Sequence, residues 1–281
     1  METFSTRVTN YEMHNCIDFD KIIEINSGGS GVIYKSKCKC CKITKALKRL
    51  RDGTQIQNFN SEVEILQIAQ GHPNIITFYG VTKDPSNEYY FMILQYIDKD
   101  LRDYLRENFK NLQFFDKFRM AEEIAQGLLF LHTKNIVHGD LNSKNILVYD
   151  KQIKIIDFGM SKQINEVSTS LCSEIKGMPA YMDPRCFKDL KYDKKSDIFS
   201  LGVILWEISS GQPPFKLLTS PAIFWNMQVL NEFREIPAEN TPLQYIKLYK
   251  KCWDKDPSIR PEMSLIIKIL NELKNSSISN V

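Results

Sequence analysis

Near Ile97 the chain changes character. Short, β-branched-rich pieces separated by turn residues give way to long stretches with helical spacing of apolar residues. A chain that switches once in this way must build a sheet-rich part followed by a helical part. Before the switch, FDKIIEI, GVIYKSK, KITKALK, NIITFYGVT and EYYFMILQY read as five strands. One helix interrupts them, QIQNFNSEVEILQIAQ, which contains no proline or internal glycine and stops at Gly71 ahead of Pro73. On it Phe59, Glu62, Leu66 and Ala69 recur three and four apart, so an acid lies on the apolar face. After the switch a helix is expected over 116–133, then two short strands, NILVY and IKIID, and a polar loop over 161–176. Four more helices follow: SDIFSLGVILWEISS with Ser196 as N-cap, PAIFWNMQVLNEF, PLQYIKLYKKCW, and PEMSLIIKILNELK with Pro261 at its first position. Residues 1–17 and 276–281 read as extensions, and the fold class is α+β.

Composition removes several function classes. Thirty-seven basic against 34 acidic residues leave a formal +3, with no basic stretch concentrated enough for dedicated nucleic-acid binding. The longest apolar runs, such as LGVILW, fall short of the roughly 20 residues that span a bilayer. Seven cysteines is an odd count, and no apolar stretch follows METFSTRVTN, so the expectation is reduced thiols and a cytoplasmic location. Cys38, Cys40 and Cys41 offer no paired C-x-x-C spacing and no nearby fourth ligand, which predicts a thiol-rich exposed turn and no structural zinc.

Three stretches carry chemistry. INSGGSGVIYK, between the first two strands, supplies Gly28, Gly29 and Gly31, whose missing side chains let backbone amides approach a polyphosphate. The third strand supplies Lys48 and the next helix Glu62; an acid on an apolar face needs a cation, and the pairing fixes the ammonium where it can meet phosphates. HGDLNSKN carries Asp140, Lys144 and Asn145, and Asp157-Phe158-Gly159 follows the strand IKII. Oxygen ligands gathered in this way suit a hard, hydrated cation such as Mg²⁺.

Taken in order, these segments with GMPAYMDPR, SDIFSLGVILWEISSGQPPF and CWDKDPSIRP resemble a eukaryotic protein kinase, most like the tyrosine-kinase-like branch of serine/threonine kinases, over residues 18–275. The resemblance implies a bilobal fold. A small five-stranded antiparallel N-lobe with one helix (18–97) and a larger, mainly helical C-lobe (98–275) close over ATP. It further implies that Lys48, oriented by Glu62, holds the α- and β-phosphates, that Asn145 and Asp157 bind magnesium, and that Asp140 takes the proton of the attacking protein hydroxyl while Lys144 helps neutralise the phosphoryl group. Leu94 falls at the gatekeeper position, 95–97 at the hinge with Gln95 and Ile97, and Ile25, Ile33, Ala46 and Leu147 at the walls around adenine. Asp197 would anchor the 138–145 turn from beneath.

The sequence also departs from the family pattern. Asn26 replaces the first glycine of the phosphate loop, and Gly139 replaces the arginine that usually pairs with a phosphorylated loop. Arg185 stands where a glutamate usually partners the arginine matched by Arg260. Two cations in place of a pair imply either that Asp183 or Asp189 takes over or that the cations avoid each other, and predict that Arg185→Glu raises the melting temperature. Met178 and Asn142 replace residues typical of serine/threonine kinases, while GMPAY keeps their wording; serine/threonine is expected before tyrosine. A rival reading is a pseudokinase scaffold that binds nucleotide or partners without catalysis.

Overall fold

The structure, a computed structural model, describes residues 19–28, 31–49, 56–83, 89–164, 170–171, 177–188, 191–216 and 234–278. The chain divides into two compact units. One runs to Gly71 and resumes over 75–98; the other comprises 72–74 and the chain from Lys99 onward.

The first unit is a five-stranded antiparallel sheet with one helix. Strands β1 (Ile23–Gly28), β2 (Gly31–Lys37), β3 (Thr44–Arg49), β4 (Phe78–Lys83) and β5 (Tyr90–Gln95) lie in the order β1-β2-β3-β5-β4, and helix α1 (Ile56–Ile68) falls between β3 and β4 in sequence. Residues directly opposite in a ladder share a face. The pairs Ile33↔Lys48↔Met92 and Lys35↔Ala46↔Leu94 therefore put Ile33, Ala46, Lys48 and Leu94 on one side of the sheet. On the other side Leu47, Phe91 and Ile93 are buried with Phe19, Tyr34, Tyr79 and Tyr89 against them, each buried side chain stabilising by about 1.5–3 kcal/mol. The strand expected at Phe19 begins only at Ile23, Phe19 making a single bridge to Cys38. The strand expected at Asn74 begins at Phe78 because Asn74 is committed to the second unit: its carbonyl accepts from Ile155 N–H at 2.8 Å and its amide donates to the Ile153 carbonyl at 3.1 Å. Helix α1 lies as expected, with Phe59, Glu62, Leu66 and Ala69 buried and Glu64 exposed.

The second unit is mainly helical. Helix α2 (Leu101–Asn108), which apolar spacing alone did not reveal, starts from an N-cap in which the Asp100 carboxylate accepts from Asp103 N–H at 2.8 Å. Helix α3 (Phe114–Thr133) packs against strand β8 (Gln152–Ile155) and helices α5 (Lys194–Ser210) and α7 (Met263–Ile278), a short helix α4 (Pro184–Lys188) and α6 (Leu243–Cys252) completing the helices described. Strand β7 (Ile146–Tyr149) pairs with β8 in register Ile146↔Ile155, and the hairpin turns on Asp150 and Lys151, both with positive φ (46° and 64°) as a tight two-residue hairpin loop requires. Short pairs join β6 (Ile136–Val137) to β9 (Lys162–Gln163) and β10 (Ser170–Leu171) to β11 (Lys191–Tyr192). Two expected helix starts shift. The N-cap of α5 is Asp193, whose carboxylate accepts from Ser196 N–H at 2.9 Å, so Ser196 is the reciprocal partner of a capping box and not the cap itself. Helix α7 begins two residues after Pro261. The helix expected over 221–233, the chain ends and Asp189 lie outside the described residues. Among the described residues, no helix is long and apolar enough to cross a membrane.

Candidate active site

In the first unit the acid on the apolar face of α1 meets its cation. Lys48 Nζ donates to Glu62 Oε1 at 2.5 Å, with the two residues only 3% and 2% exposed. Burial at this level requires mutual neutralisation, since an unpaired charge here would cost several kcal/mol. Strands β1 and β2 close on the pair Gly28↔Gly31, with Gly31 at φ 130°; Gly29 lies outside the described residues. Beside Lys48, Ala46 is buried and Ile33 and Leu94 are partly buried on the same face. Ile25 sits at a register irregularity of β1 and is exposed. Gln95 N–H donates to the Thr77 carbonyl at 2.9 Å, and Ile97, partly buried, follows the strand. Leu147 belongs to the second unit, in β7, paired with Lys154 and bridged to Asp100.

The second unit gathers the acids. The 138–145 turn is held from one point: the fully buried Asp197, in the first turn of α5, accepts from His138 N–H at 2.9 Å, from Gly139 N–H at 3.1 Å, and bonds His132 Nε2 at 2.9 Å. Three such bonds to a buried carboxylate exceed the few tenths of a kcal/mol that a helix dipole supplies to a surface acid. Within the turn, Asn142 Oδ1 accepts from the backbone N–H groups of Lys144 (3.0 Å) and Asn145 (3.2 Å). Asp140 is gripped by side-chain amides: Asn142 Nδ2 donates to Oδ1 at 3.1 Å and Asn145 Nδ2 to Oδ2 at 3.0 Å. Burial raises the pKa of Asp140, with the charge of Asp157 adding to it, while His138 and the hydrogen bonds from Met178 and Asn142 oppose the rise. Asp157 follows β8 with a left-handed backbone, φ 64°, and its Oδ1 accepts from Gly159 N–H at 3.3 Å. Lys144 is exposed. The structure thus brings Asp140, Asn145 and Asp157 together in one unit and pairs Lys48 with Glu62 in the other.

A sequence profile described as protein tyrosine and serine/threonine kinase matches residues 19–270. The chain belongs to this family. Similar proteins include the "Probable LIM domain-containing serine/threonine-protein kinase" of Dictyostelium discoideum, 32% identical over 90% of this chain and 39% of that protein. A serine/threonine/tyrosine-protein kinase of Arabidopsis thaliana is 32% identical over 85% of this chain and 61% of its own length. A dual specificity protein kinase of D. discoideum is 31% identical over 91% and 35%. The chain thus spans between about a third and three fifths of the length of these relatives.

This kinase chain resolves its departures from the family pattern in specific ways. Gly139 has φ 86°, and a Cβ there would lie 2.8 Å from the Met160 carbonyl oxygen, so in this backbone a side chain at 139 requires the turn at Met160 to move. Gly177, φ 110°, approaches the reacting end of the turn: a Cβ would lie 2.7 Å from Asp140 Oδ1. Gly177→Ala is expected to push that carboxylate aside and lower turnover at least tenfold, on the sensitivity of such groups to displacements of about 1 Å, with a melting temperature that shows the variant folded; unchanged kinetics would contradict the contact. At the start of the 161–176 loop, Ser161 is buried and its Oγ donates to the His138 carbonyl at 2.7 Å; Ser168, Thr169 and Ser173 of the same loop lie outside the described residues.

Of the two alternatives read from sequence at Arg185, the structure has Asp183 taking over, and this pairing argues for the opposite sign of the Arg185→Glu effect. Asp183, fully buried, pairs with the equally buried Arg260 and also accepts from Arg185 Nη2 at 2.7 Å. Arg185 turns its other edge to Asp193, Nη1 to Oδ2 and Nη2 to Oδ1 at 2.9 Å each. The cations neither avoid nor oppose each other; an acid stands between them. Burial works against the Arg185 charge, but the hydrogen bonds of Asp193 and Asp183 outweigh it and hold the guanidinium above its ordinary pKa. Arg185→Glu would set a third carboxylate beside Asp183 and Asp193, and thermal unfolding should show a midpoint lower by about 4–8 °C, equivalent to about 2 kcal/mol. A rise would restore the expectation drawn from sequence.

Sequence reasoning missed the buried acid Glu207. Glu207 lies on α5, 1% exposed, and accepts from Ser143 Oγ at 2.9 Å and Tyr181 Oη at 2.6 Å, with Arg102 Nε at 3.4 Å. Arg102 Nη2 also donates to Tyr181 Oη at 2.6 Å. Burial raises the pKa of Glu207 against these hydrogen bonds and the Arg102 charge. The network ties α2, the 138–145 turn, the 177–183 segment and α5 together. Its signal was present as an acid set within the apolar run LGVILWEI, well past the helix start where Asp197 sits, the pattern that singled out Glu62.

Proposed function

We propose that this chain transfers the γ-phosphoryl group of ATP to a hydroxyl of a protein substrate, with Mg²⁺, and favours serine or threonine over tyrosine. The observation that carries the reading is the Asp140–Asn145–Asp157 cluster. Asn145 spends its amide nitrogen on the Asp140 carbonyl, at 2.8 Å, and on the Asp140 carboxylate, so its oxygen is the atom offered to a cation, and Asp157 adds carboxylate oxygens. This is a hard-oxygen donor set of the kind magnesium takes. Bound there, Mg²⁺ would neutralise charge developing on the phosphates.

Each residue then has a task. Asp140 accepts the proton of the attacking hydroxyl, and its geometry suits the task because both oxygens are oriented by amides that cannot themselves take the proton. Lys48, fixed by Glu62, meets the α- and β-phosphates, and Lys144, exposed on the same turn as Asp140, supports the transferring group. By the family pattern, the amides of the glycine-rich turn would meet the phosphates, Ile25, Ile33, Ala46 and Leu94 of the first unit would serve the adenine with Gln95 to Ile97 bonding it, and Leu147 of the second unit carries the remaining apolar position of that pattern. The serine/threonine preference rests on GMPAY and on the names of the relatives, which include both serine/threonine and dual specificity kinases.

The test is transfer from labelled ATP with magnesium, wild type beside Asp140→Asn. Incorporation by the wild type that is lost in a variant still binding nucleotide supports the enzyme. Equal absence in both, with a thermal shift on adding ATP, would establish the scaffold instead. Phosphoamino-acid analysis of the product reads the hydroxyl preference.

A further inference from the structure

The connection between β2 and β3 is a tight turn built almost wholly of cysteine and lysine. Cys38 N–H donates to the Ile43 carbonyl at 3.0 Å and Lys42 N–H to the Cys38 carbonyl at 2.9 Å, with Lys42 in the left-handed region at φ 61°. The turn folds the run back on itself. As a result the Sγ atoms of Cys38, Cys40 and Cys41 all lie within 4.8 Å of one another, and those of Cys38 and Cys40 are 3.0 Å apart. The shorter separation exceeds a disulfide bond of about 2.05 Å, so it is a contact between sulfur atoms and not a crosslink.

Four features of this turn point to a metal. Zinc binds thiolate sulfur at about 2.3 Å, and tetrahedral geometry then separates two sulfur ligands by about 3.8 Å, a value within the range found here. The sulfur atoms span a graded environment, Cys38 being 1% exposed while Cys40 and Cys41 are exposed, so an ion can enter from solvent and be held from beneath. Three thiolates and a dication leave one negative charge, and the exposed Lys39 and Lys42 flank the cluster with opposite charge. Finally, the left-handed residue directly after Cys41 and the hydrogen bond from its amide to the Cys38 carbonyl hold the C-x-x-C pair of Cys38 and Cys41 on one side of a hairpin. The sequence argument against zinc rested on the lack of a second C-x-x-C pair and of a fourth ligand; the turn instead brings a third thiol, Cys40, beside the Cys38–Cys41 pair.

We propose that the β2–β3 hairpin is a binding site for one thiophilic d¹⁰ cation, zinc in the first instance, held by the thiolates of Cys38, Cys40 and Cys41 with a small exogenous ligand such as water at the fourth position. Binding displaces three thiol protons to solvent and forms three metal–sulfur bonds, with no change in oxidation state. The site crosslinks the turn between the two strands that carry Ile33, Ala46 and Lys48, so its occupancy stiffens that part of the sheet independently of nucleotide.

The experiment uses the full 281-residue chain, reduced and stripped with a chelator, then supplied with zinc and separated from unbound ion. One zinc per chain is expected, with a raised melting temperature, and cadmium in its place should give the ultraviolet charge-transfer band of sulfur bound to cadmium. The variant Cys40→Ser/Cys41→Ser removes two exposed ligands and should lose both the ion and the band while keeping the wild-type melting temperature in chelator. Cys38→Ser tests the buried ligand; should it fail to fold, the exposed double variant still decides. Zinc retained at one per chain by that double variant, or no metal above background in the wild type with either zinc or cadmium, overturns the proposal.

Discussion

Asp140→Asn is expected to lower turnover by about 10²- to 10⁴-fold, the usual contribution of a positioned proton acceptor, with the affinity for magnesium and ATP changed far less. The substitution removes charge and basicity but nearly preserves volume. Its amide also introduces a conflict. Asn142 Nδ2 and Asn145 Nδ2 donate to the two oxygens of Asp140, so the new NH₂ must face one of these donors. A single lost hydrogen bond is worth about 1 kcal/mol, too little to unfold the chain and too little to account for a loss of this size. In the wild type the raised pKa of Asp140, due first to burial and then to the Asp157 charge, places the acid limb of the rate above the ordinary carboxylate range. A group raised in this way favours the folded state most when protonated, so stability at this site is full at low pH and declines as pH rises through the folded value. Activity therefore falls on acidification while this site's contribution to stability does not, and a steady-state pH profile beside thermal melts should separate the two. An acid limb at the usual carboxylate position would show that the aspartate is not held as described.

Asp183→Asn should produce the largest loss of stability, about 3–5 kcal/mol, read as a fall in melting temperature of roughly 10 °C or more. Both Asp183 and Arg260 are fully buried, and Arg185 shares the same carboxylate. Arg260 keeps hydrogen bonds to the carbonyls of Asp254 at 2.8 Å and Lys195 at 2.9 Å, but carbonyls do not neutralise a cation. Burial raises the pKa of Asp183, yet hydrogen bonds from Arg260 and Arg185 and their charges bring it below the ordinary value. Its contribution is consequently complete above the unfolded value near 4 and lost as pH falls through the folded value. The variant should lose this dependence, so the gap in melting temperature between wild type and variant should narrow below about pH 4. A gap constant across that window would mean that the carboxylate charge is not what holds Arg260.

Much of this protein was written locally. The strands GVIYKSK and KITKALK, the helix carrying Phe59, Glu62, Leu66 and Ala69, and the β7–β8 hairpin depend on spacing within a few residues, which is why they could be read directly. The pairing of Lys48 with Glu62 was legible for a related reason: an acid on an apolar face has few acceptable partners, and the nearest strand offered one.

Only the tertiary structure decided what spans long stretches of sequence. Arg260 meets Asp183 across 77 residues and Ser143 meets Glu207 across 64, so the sign of the Arg185→Glu effect and the whole Glu207 network were invisible to spacing. The start of β4 was likewise set elsewhere, by Asn74 bonding β8. The cysteine turn is the local counterpart: its residues are adjacent in sequence, but the left-handed Lys42 and the hairpin closure, not the order of the cysteines, bring three sulfur atoms to one point. Sequence fixes which groups need partners, because burial makes an unpaired charge costly, whereas chain topology decides which of several chemically acceptable partners is within reach.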